Sequence, residues 1–241
     1  MLSDRFCIFN HTNIKLSAQD AVSCNSYNKG CSGGTIPYTY EYFESTGIVT
    51  ETCFPYTSGI NGNEPKCHQS CSNSEPFMKY TCQEGSFSYF MFFMAIQLEI
   101  LNNGPVTAYM NVYDDFMNYK SGIYDRESNN FLGGHLVKII GWNLDQEESR
   151  YYWIVSNSWG TKWGMNGFFN IYTDQCQISS QIASCIPGNT FIPPHHTDIT
   201  LYIVLGIIIL CIAIGIILIV RNRMKIRQTM GYAPAQTLIN N

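Results

Sequence analysis

Three stretches of this 241-residue chain hold residue types that could do chemistry: Gly30-Cys31-Ser32-Gly33-Gly34, Gly133-Gly134-His135 and Asn157-Ser158-Trp159-Gly160. A histidine can move a proton near neutral pH, and a cysteine can supply a nucleophilic thiolate or ligate a metal. Taken singly the stretches say little. A His beside glycines at a strand start is more often structural, and Asn-Ser-Trp-Gly alone is a turn with an aromatic. Their joint occurrence is harder to ascribe to chance.

The chain has ten cysteines, nine of them ahead of residue 201 in a region rich in Gly and Pro turns. That usage suits disulfides formed in an oxidising lumen. An odd nine leaves at least one thiol unpaired or paired elsewhere. Zinc is the competing use, but there is no pair of CxxC units and no His at the spacing that completes a four-ligand site. Asn10-His11-Thr12 is a glycosylation sequon, a short pattern that recurs by chance.

The elements that must hold these residues follow from pattern and composition. With 45% hydrophobic and 13% charged residues the chain can bury a core, which excludes a disordered or collagen-like polymer. Residues 1–50 read as helical segments between polar turns, with Ser17 placed to cap a helix from Ala18. Residues 52–85 have the Gly, Pro, Ser, Asn and Cys content of a pinned loop region. From Val106 onward VTAYMNVY, HLVKIIGW, YYWIVSNSW and GFFNIY read as strands. Helices first and strands second predict an α+β fold. The run YFMFFMAI at residues 89–96 is too short to span a bilayer and meets Gln97 and Glu99, so it reads as a buried helix.

The C-terminal end is different. Residues 201–220 carry no charge and would form a helix of about 30 Å, the thickness of a bilayer's hydrocarbon core. No acidic residue follows Asp198, whereas Arg221, Arg223, Lys225 and Arg227 follow at once, which predicts a cytosolic tail over residues 221–241. Residues 188–200 read as a stalk. The preceding part then faces a lysosome- or vacuole-like lumen or the exterior, as a single-pass membrane protein. Its formal charge of −8 over residues 1–200 argues against a nucleic-acid partner. No signal peptide is visible behind Met1.

The three stretches, with NNGPVTAYMNVYDDFMNYKSGIY (102–124), GGHLVKIIGW (133–142) and YWIVSNSWGTKWGMNGFFNI (152–171), resemble the papain family of cysteine peptidases in order and spacing, most closely its cathepsin B branch. The resemblance runs from about Leu2 to Pro187 and implies a two-lobed peptidase domain over residues 1–187. It implies that His135 is the imidazole paired with the thiolate, that Asn157 orients the ring, and that Trp159 covers the bond between them. Gly33 and Gly34 resemble the backbone that pairs with an extended substrate, and Ser179 the residue at the base of the second specificity pocket. The substrates would be polypeptides, with no cofactor and no metal.

In the family the nucleophilic Cys opens the helix that runs into Leu2-Ser3-Asp4-Arg5. The expectation is therefore an N-terminally truncated chain, inactive and poorly folded as written, with the catalytic Cys upstream of Met1. The resemblance pairs Cys24 with Cys67 and Cys53 with Cys71, sets Cys7 and Cys31 at disulfide positions with upstream partners, and leaves Cys82, Cys176 and Cys185 unassigned. Two departures bear on specificity. The segment between Cys53 and Cys67 is short and has no His, which implies an endopeptidase rather than a dipeptide-releasing enzyme. Ser179 stands where an acidic residue would be, which implies an apolar rather than a basic side chain in that pocket. The alternative is a pseudopeptidase kept as a lumenal binding module.

Overall fold

A computed structural model describes residues 1–191, 210–219 and 221 of the chain. The chain divides into two units, Met1–Pro193 and Pro194–Asn241.

The first unit begins with helices. These are α1 (Leu2–Asn10), α2 (Ala18–Cys24), α3 (Ile36–Ser45) and the single turn α4 (Ser58–Asn61). Ser17 caps α2 as its residue type predicts, its Oγ accepting from the Asp20 amide at 2.9 Å. Strands β1 (Lys79–Cys82) and β2 (Ser88–Phe90) precede α5 (Phe93–Asn103), and then come β3 (Val106–Tyr113), β4 (Ile123–Tyr124), β5 (Phe131–Asp145), β6 (Arg150–Ser156), β7 (Phe168–Tyr172), β8 (Ile182–Ser184) and β9 (Pro187–Phe191). The arrangement is α+β, with helices leading and a sheet following.

Seven strands form one sheet in the order β2-β8-β3-β5-β6-β7-β4, antiparallel except for β4 beside β7. Strand β3 shows how sequence sets its face. Val106, Ala108, Met110 and Val112 alternate into the core while Thr107, Tyr109 and Asn111 face the other way. That core is centred on Trp153, Phe116, Phe169, Ile139 and Ile171. A second core joins α1, α3 and the β1–β9 pair through Leu2, Phe6, Ile36, Tyr40, Cys82 and Cys185. Arg5 ties α1 to the rest from a fully buried position. Its guanidinium donates to the carbonyls of Gly104, Pro105 and Cys185 and pairs with Glu99 at 2.8 Å. Lys79 and Asp20 form a second buried pair at 2.7 Å.

Disulfides join Cys24 to Cys67 and Cys53 to Cys71, the two pairs the resemblance implied. A third joins Cys82 to Cys185, which pattern had left unassigned. Cys7 and Cys31 are free and exposed, and Cys176 is free and buried.

The run at residues 89–96 is not one buried helix. Tyr89 and Phe90 lie in β2, the helix starts only at Phe93, and Met91, Phe92 and Met94 face outward while Ile96 is buried. The cause is the hydrogen bonding of β2 to β8, which takes the first residues into the sheet. The stalk expected from residue 188 gives its first four residues to β9, which pairs with β1. Half of the predicted span at 201–220, and the tail after Arg221, lie outside the described residues. Residues 210–219 are helical and outward-facing. Among the described residues no helix is long and apolar enough to cross a membrane.

Candidate active site

Strand β5 carries His135 at its fifth position, in register with Met110 of the core strand β3. On the other side β5 pairs with β6, whose last residue Ser156 stands opposite Lys138. Asn157 is the next residue, so the end of the ladder delivers its side chain to the neighbourhood of His135. The Asn157 amide N–H donates to the Gly167 carbonyl at 2.9 Å, which fixes the turn.

His135 Nε2 lies 2.8 Å from Asn157 Oδ1. The same oxygen accepts the Ser158 amide N–H at 2.8 Å. An amide oxygen only accepts, so Nε2 carries the proton and Nδ1 is the ring nitrogen left for chemistry. The Asn157 Nδ2 group is buried and without a hydrogen-bond partner. Such a group costs roughly 1–3 kcal/mol of stability, a cost borne where the side chain's other end positions an imidazole.

Trp159 stacks on the His135 ring, with centroids 5.1 Å apart and planes 28° from parallel. It is itself wedged edge-on between Phe116 at 5.5 Å and Trp163 at 5.0 Å. Trp163 Nε1 donates to the Met117 carbonyl at 3.1 Å, so the indole cluster is anchored to the sheet's core. This aromatic wall covers one face of the half-buried imidazole. Burial pulls the His135 pKa below its ordinary value, and the Asn157 hydrogen bond opposes that pull.

A cavity of about 540 Å³ opens beside the ring, lined by His135, Gly33, Gly34, Ile36, Tyr109 and Gln181 among others. Gly33 adopts φ +111°, a conformation that residues with a side chain rarely take, and the space beside its Cα is open. At Gly34 a Cβ would meet the Asn28 amide at 2.6 Å. That amide cannot move aside cheaply, because it bonds to the Thr39 hydroxyl and the Thr35 N–H at 3.0 Å each. Bare backbone therefore faces the imidazole across the cavity.

The structure thus brings together His135, Asn157, Trp159, Gly33 and Gly34. Ser179 does not line the cavity. Its hydroxyl accepts from Trp153 Nε1 at 2.9 Å and donates to the Thr173 carbonyl. Tyr109 and Gln181 line the cavity without having been singled out. For Tyr109 the alternation of β3 was the available signal, since it puts residues 107, 109 and 111 off the core face. Gln181 reaches the site only because its carbonyl accepts the Tyr109 amide and β8 pairs with β3, which no local pattern reveals. Among the described residues no group of His, Cys, Asp and Glu could hold a metal ion.

The sequence model described as papain family cysteine protease matches residues 1–186. The chain belongs to the papain family of cysteine proteases. Within it the similarity is to cathepsin B-like members. The "Gut-specific cysteine proteinase" of Caenorhabditis elegans is 37% identical over 76% of this chain and 62% of that protein. "Cathepsin B" of Dictyostelium discoideum is 34% identical over 77% and 63%, and "Cathepsin B-like protease 1" of Arabidopsis thaliana 33% over 78% and 53%. The solved structure of "proCathepsin B S9 from Trypanosoma congolense" superposes with a TM-score of 0.71 at 32% identity, covering 78% of this chain and 66% of that one. The papain-family chain spans between about half and under two thirds of the length of these curated relatives.

Proposed function

We propose that the site serves peptide-bond hydrolysis by an endopeptidase of thiolate–imidazolium type, with the His135–Asn157 hydrogen bond under Trp159 as the observation that carries the reading. A thiolate held by protonated His135 attacks the scissile carbonyl carbon. The tetrahedral intermediate collapses, the C–N bond breaks, and the Nδ1 proton passes to the leaving amine. Nδ1 then takes a proton from water, whose oxygen attacks the thioester and releases the acid. Asn157 holds the ring in the tautomer that leaves Nδ1 toward the cavity. Gly33 and Gly34 present backbone groups to an extended substrate.

Among the described residues no cysteine lines the cavity. We propose that the attacking thiolate comes from a cysteine other than the ten of this sequence, on the resemblance that sets the nucleophile ahead of Leu2-Ser3-Asp4-Arg5. The segment between Cys53 and Cys67 has no His, which supports cleavage within chains rather than dipeptide release. Ser179 lies off the cavity lining with its hydroxyl engaged by Trp153 and Thr173, so this position brings no charge to the cavity, which supports an apolar rather than a basic side chain at the second specificity position.

A cavity lining without a described cysteine also favours a second reading, a binding module that holds extended peptides without cutting them. Turnover of an internally quenched peptide by protein from its natural source, with the cysteine labelled by a peptidyl epoxide identified by mass spectrometry, separates the two. The enzyme reading expects a label on a cysteine beyond the ten numbered here and loss of turnover in His135→Ala. Binding without turnover or labelling would establish the module instead. Turnover by residues 1–241 alone would assign the nucleophile to one of the cysteines numbered here.

The uncharged run at 201–220 is proposed as a single membrane span. Its support is length, absence of charge, the basic residues that follow, and the outward-facing apolar side chains of residues 210–219, which a bilayer would cover. The peptidase domain then lies in a lumen or outside the cell and the tail in the cytosol. Retention of the full chain in the membrane fraction at alkaline pH is the expected result, and its release into the supernatant would sink the assignment.

A further inference from the structure

Helix α5 carries apolar side chains on the side where a surface helix ordinarily carries polar ones. Met94, Leu98 and Leu101 stand at i, i+4 and i+7, share one face, and are 71%, 51% and 72% exposed. Met91 and Phe92, just ahead of the helix, are each 76% exposed. No charged residue occurs from Met91 to Leu98. The inward sides of α5 are already satisfied. Ile96 and Ile100 enter the sheet core, Phe93 packs on Tyr151 and Trp153, and Glu99 pairs with Arg5. Exposed Ile8 of α1 lies over the C-terminal end of α5, where a side chain at Gly104 would strike it.

Large apolar side chains exposed together on one helix face of a folded domain mark a surface that something covers. We propose that its occupant is the headgroup–acyl boundary of the membrane that anchors the chain, with Met91, Phe92, Met94, Leu98 and Leu101 inserted. The inference rests on the membrane-span reading above. Two observations select a bilayer. Helix α1 packs on both α5 and β9, the strand from which the chain leaves the domain, so the exit and the apolar face belong to neighbouring elements. Nine residues separate Phe191 from the uncharged run, a length of chain whose fully extended reach is about 30 Å. The face lacks basic residues and the domain is acidic, so neutral lipid is the matching surface.

Methionine oxidation tests this on the full chain reconstituted in phosphatidylcholine vesicles, with chloramine T added outside and sulfoxide read by mass spectrometry. In water Met91 and Met94 should oxidise at least as fast as Met117, which is only 47% exposed and lies off the face. Docking inverts that order, with Met91 and Met94 about threefold slower than Met117. In Leu98→Glu/Leu101→Glu, changed only at exposed positions, the ordinary order returns while the chain still floats with the vesicles. Rates that follow exposure in a wild-type chain that stays with the vesicles at alkaline pH would overturn docking and leave the anchor standing. Release of the chain at alkaline pH would overturn both. Protection that fades when the protein is diluted tenfold in lipid would assign the face to a second copy and overturn the bilayer.

Discussion

Nε2 of His135, within β5, and Oδ1 of Asn157, just past the end of the paired strand β6, lie 2.8 Å apart, with the Trp159 ring stacked on the imidazole. Since the oxygen accepts from Nε2–H, Asn157→Ala removes the group that selects the tautomer. In the enzyme reading kcat/KM falls by about 10²-fold while KM changes little. In an NMR titration the His135 pKa should drop further below that of the wild type, because the hydrogen bond is what opposes burial. A rise would show that Asn157 does not support the charged ring.

The lowered His135 pKa also has a sign in stability. Below the ordinary His value the unfolded chain binds a proton that the folded chain resists, so the folded state loses ground as pH falls from about 6.5 toward the folded pKa. Above that window the group contributes no pH dependence. His135→Gln should flatten the acid side of a plot of melting temperature against pH, and an unchanged slope would place the titration elsewhere.

Gly33→Ala tests the bare backbone. The new Cβ meets open space, so any cost comes from φ +111°, roughly 1–3 kcal/mol. A lower melting temperature accompanied by weaker binding of an extended peptide is expected. Intact peptide affinity would remove Gly33 from the substrate site.

Asp20 is buried, pairs with Lys79 Nζ at 2.7 Å, and accepts from the Tyr42 hydroxyl and the Val49 amide. Asp20→Ala strands a buried ammonium and should cost about 3–5 kcal/mol in chemical denaturation. Replacing both partners, Asp20→Leu with Lys79→Met, should recover much of that loss. If the double variant is no better than the single one, the stranded charge is not the cause.

Reduction should open the disulfides in order of access. Cys67 of the Cys24–Cys67 pair is exposed, whereas Cys82 and Cys185 are both buried. Timed alkylation under mild reductant should find Cys24 and Cys67 first and Cys82 and Cys185 last. Breaking the last pair, which closes 103 residues, should lower stability by about 4–5 kcal/mol on the chain-entropy account.

What the sequence disclosed was whatever local pattern encodes. The four strand runs and the Ser17 cap were legible because alternation and residue type stay within short windows, whereas the pairing of His135 with Asn157 was what the family resemblance implied. The features that escaped are those made by distant partners. Tyr89 and Phe90 join a strand because β8, some ninety residues on, offers them hydrogen bonds. Ser179 turns to Trp153 rather than to the cavity because the indole N–H needs an acceptor where it is buried. Cys82 meets Cys185 because β1 lies against β9, and cysteine spacing alone does not choose a partner.

The β1–β9 seam sets a timetable for a growing polypeptide. Strand β1 ends at Cys82, and its partner strand is complete only at Phe191. At a synthesis rate of about 5–20 residues per second, Cys82 waits roughly 5–20 s as an open thiol beside the cysteines at 53, 67 and 71. Any non-native disulfide that Cys82 forms in that interval joins it to a segment already emerged, and must be undone before Cys185 can take its place.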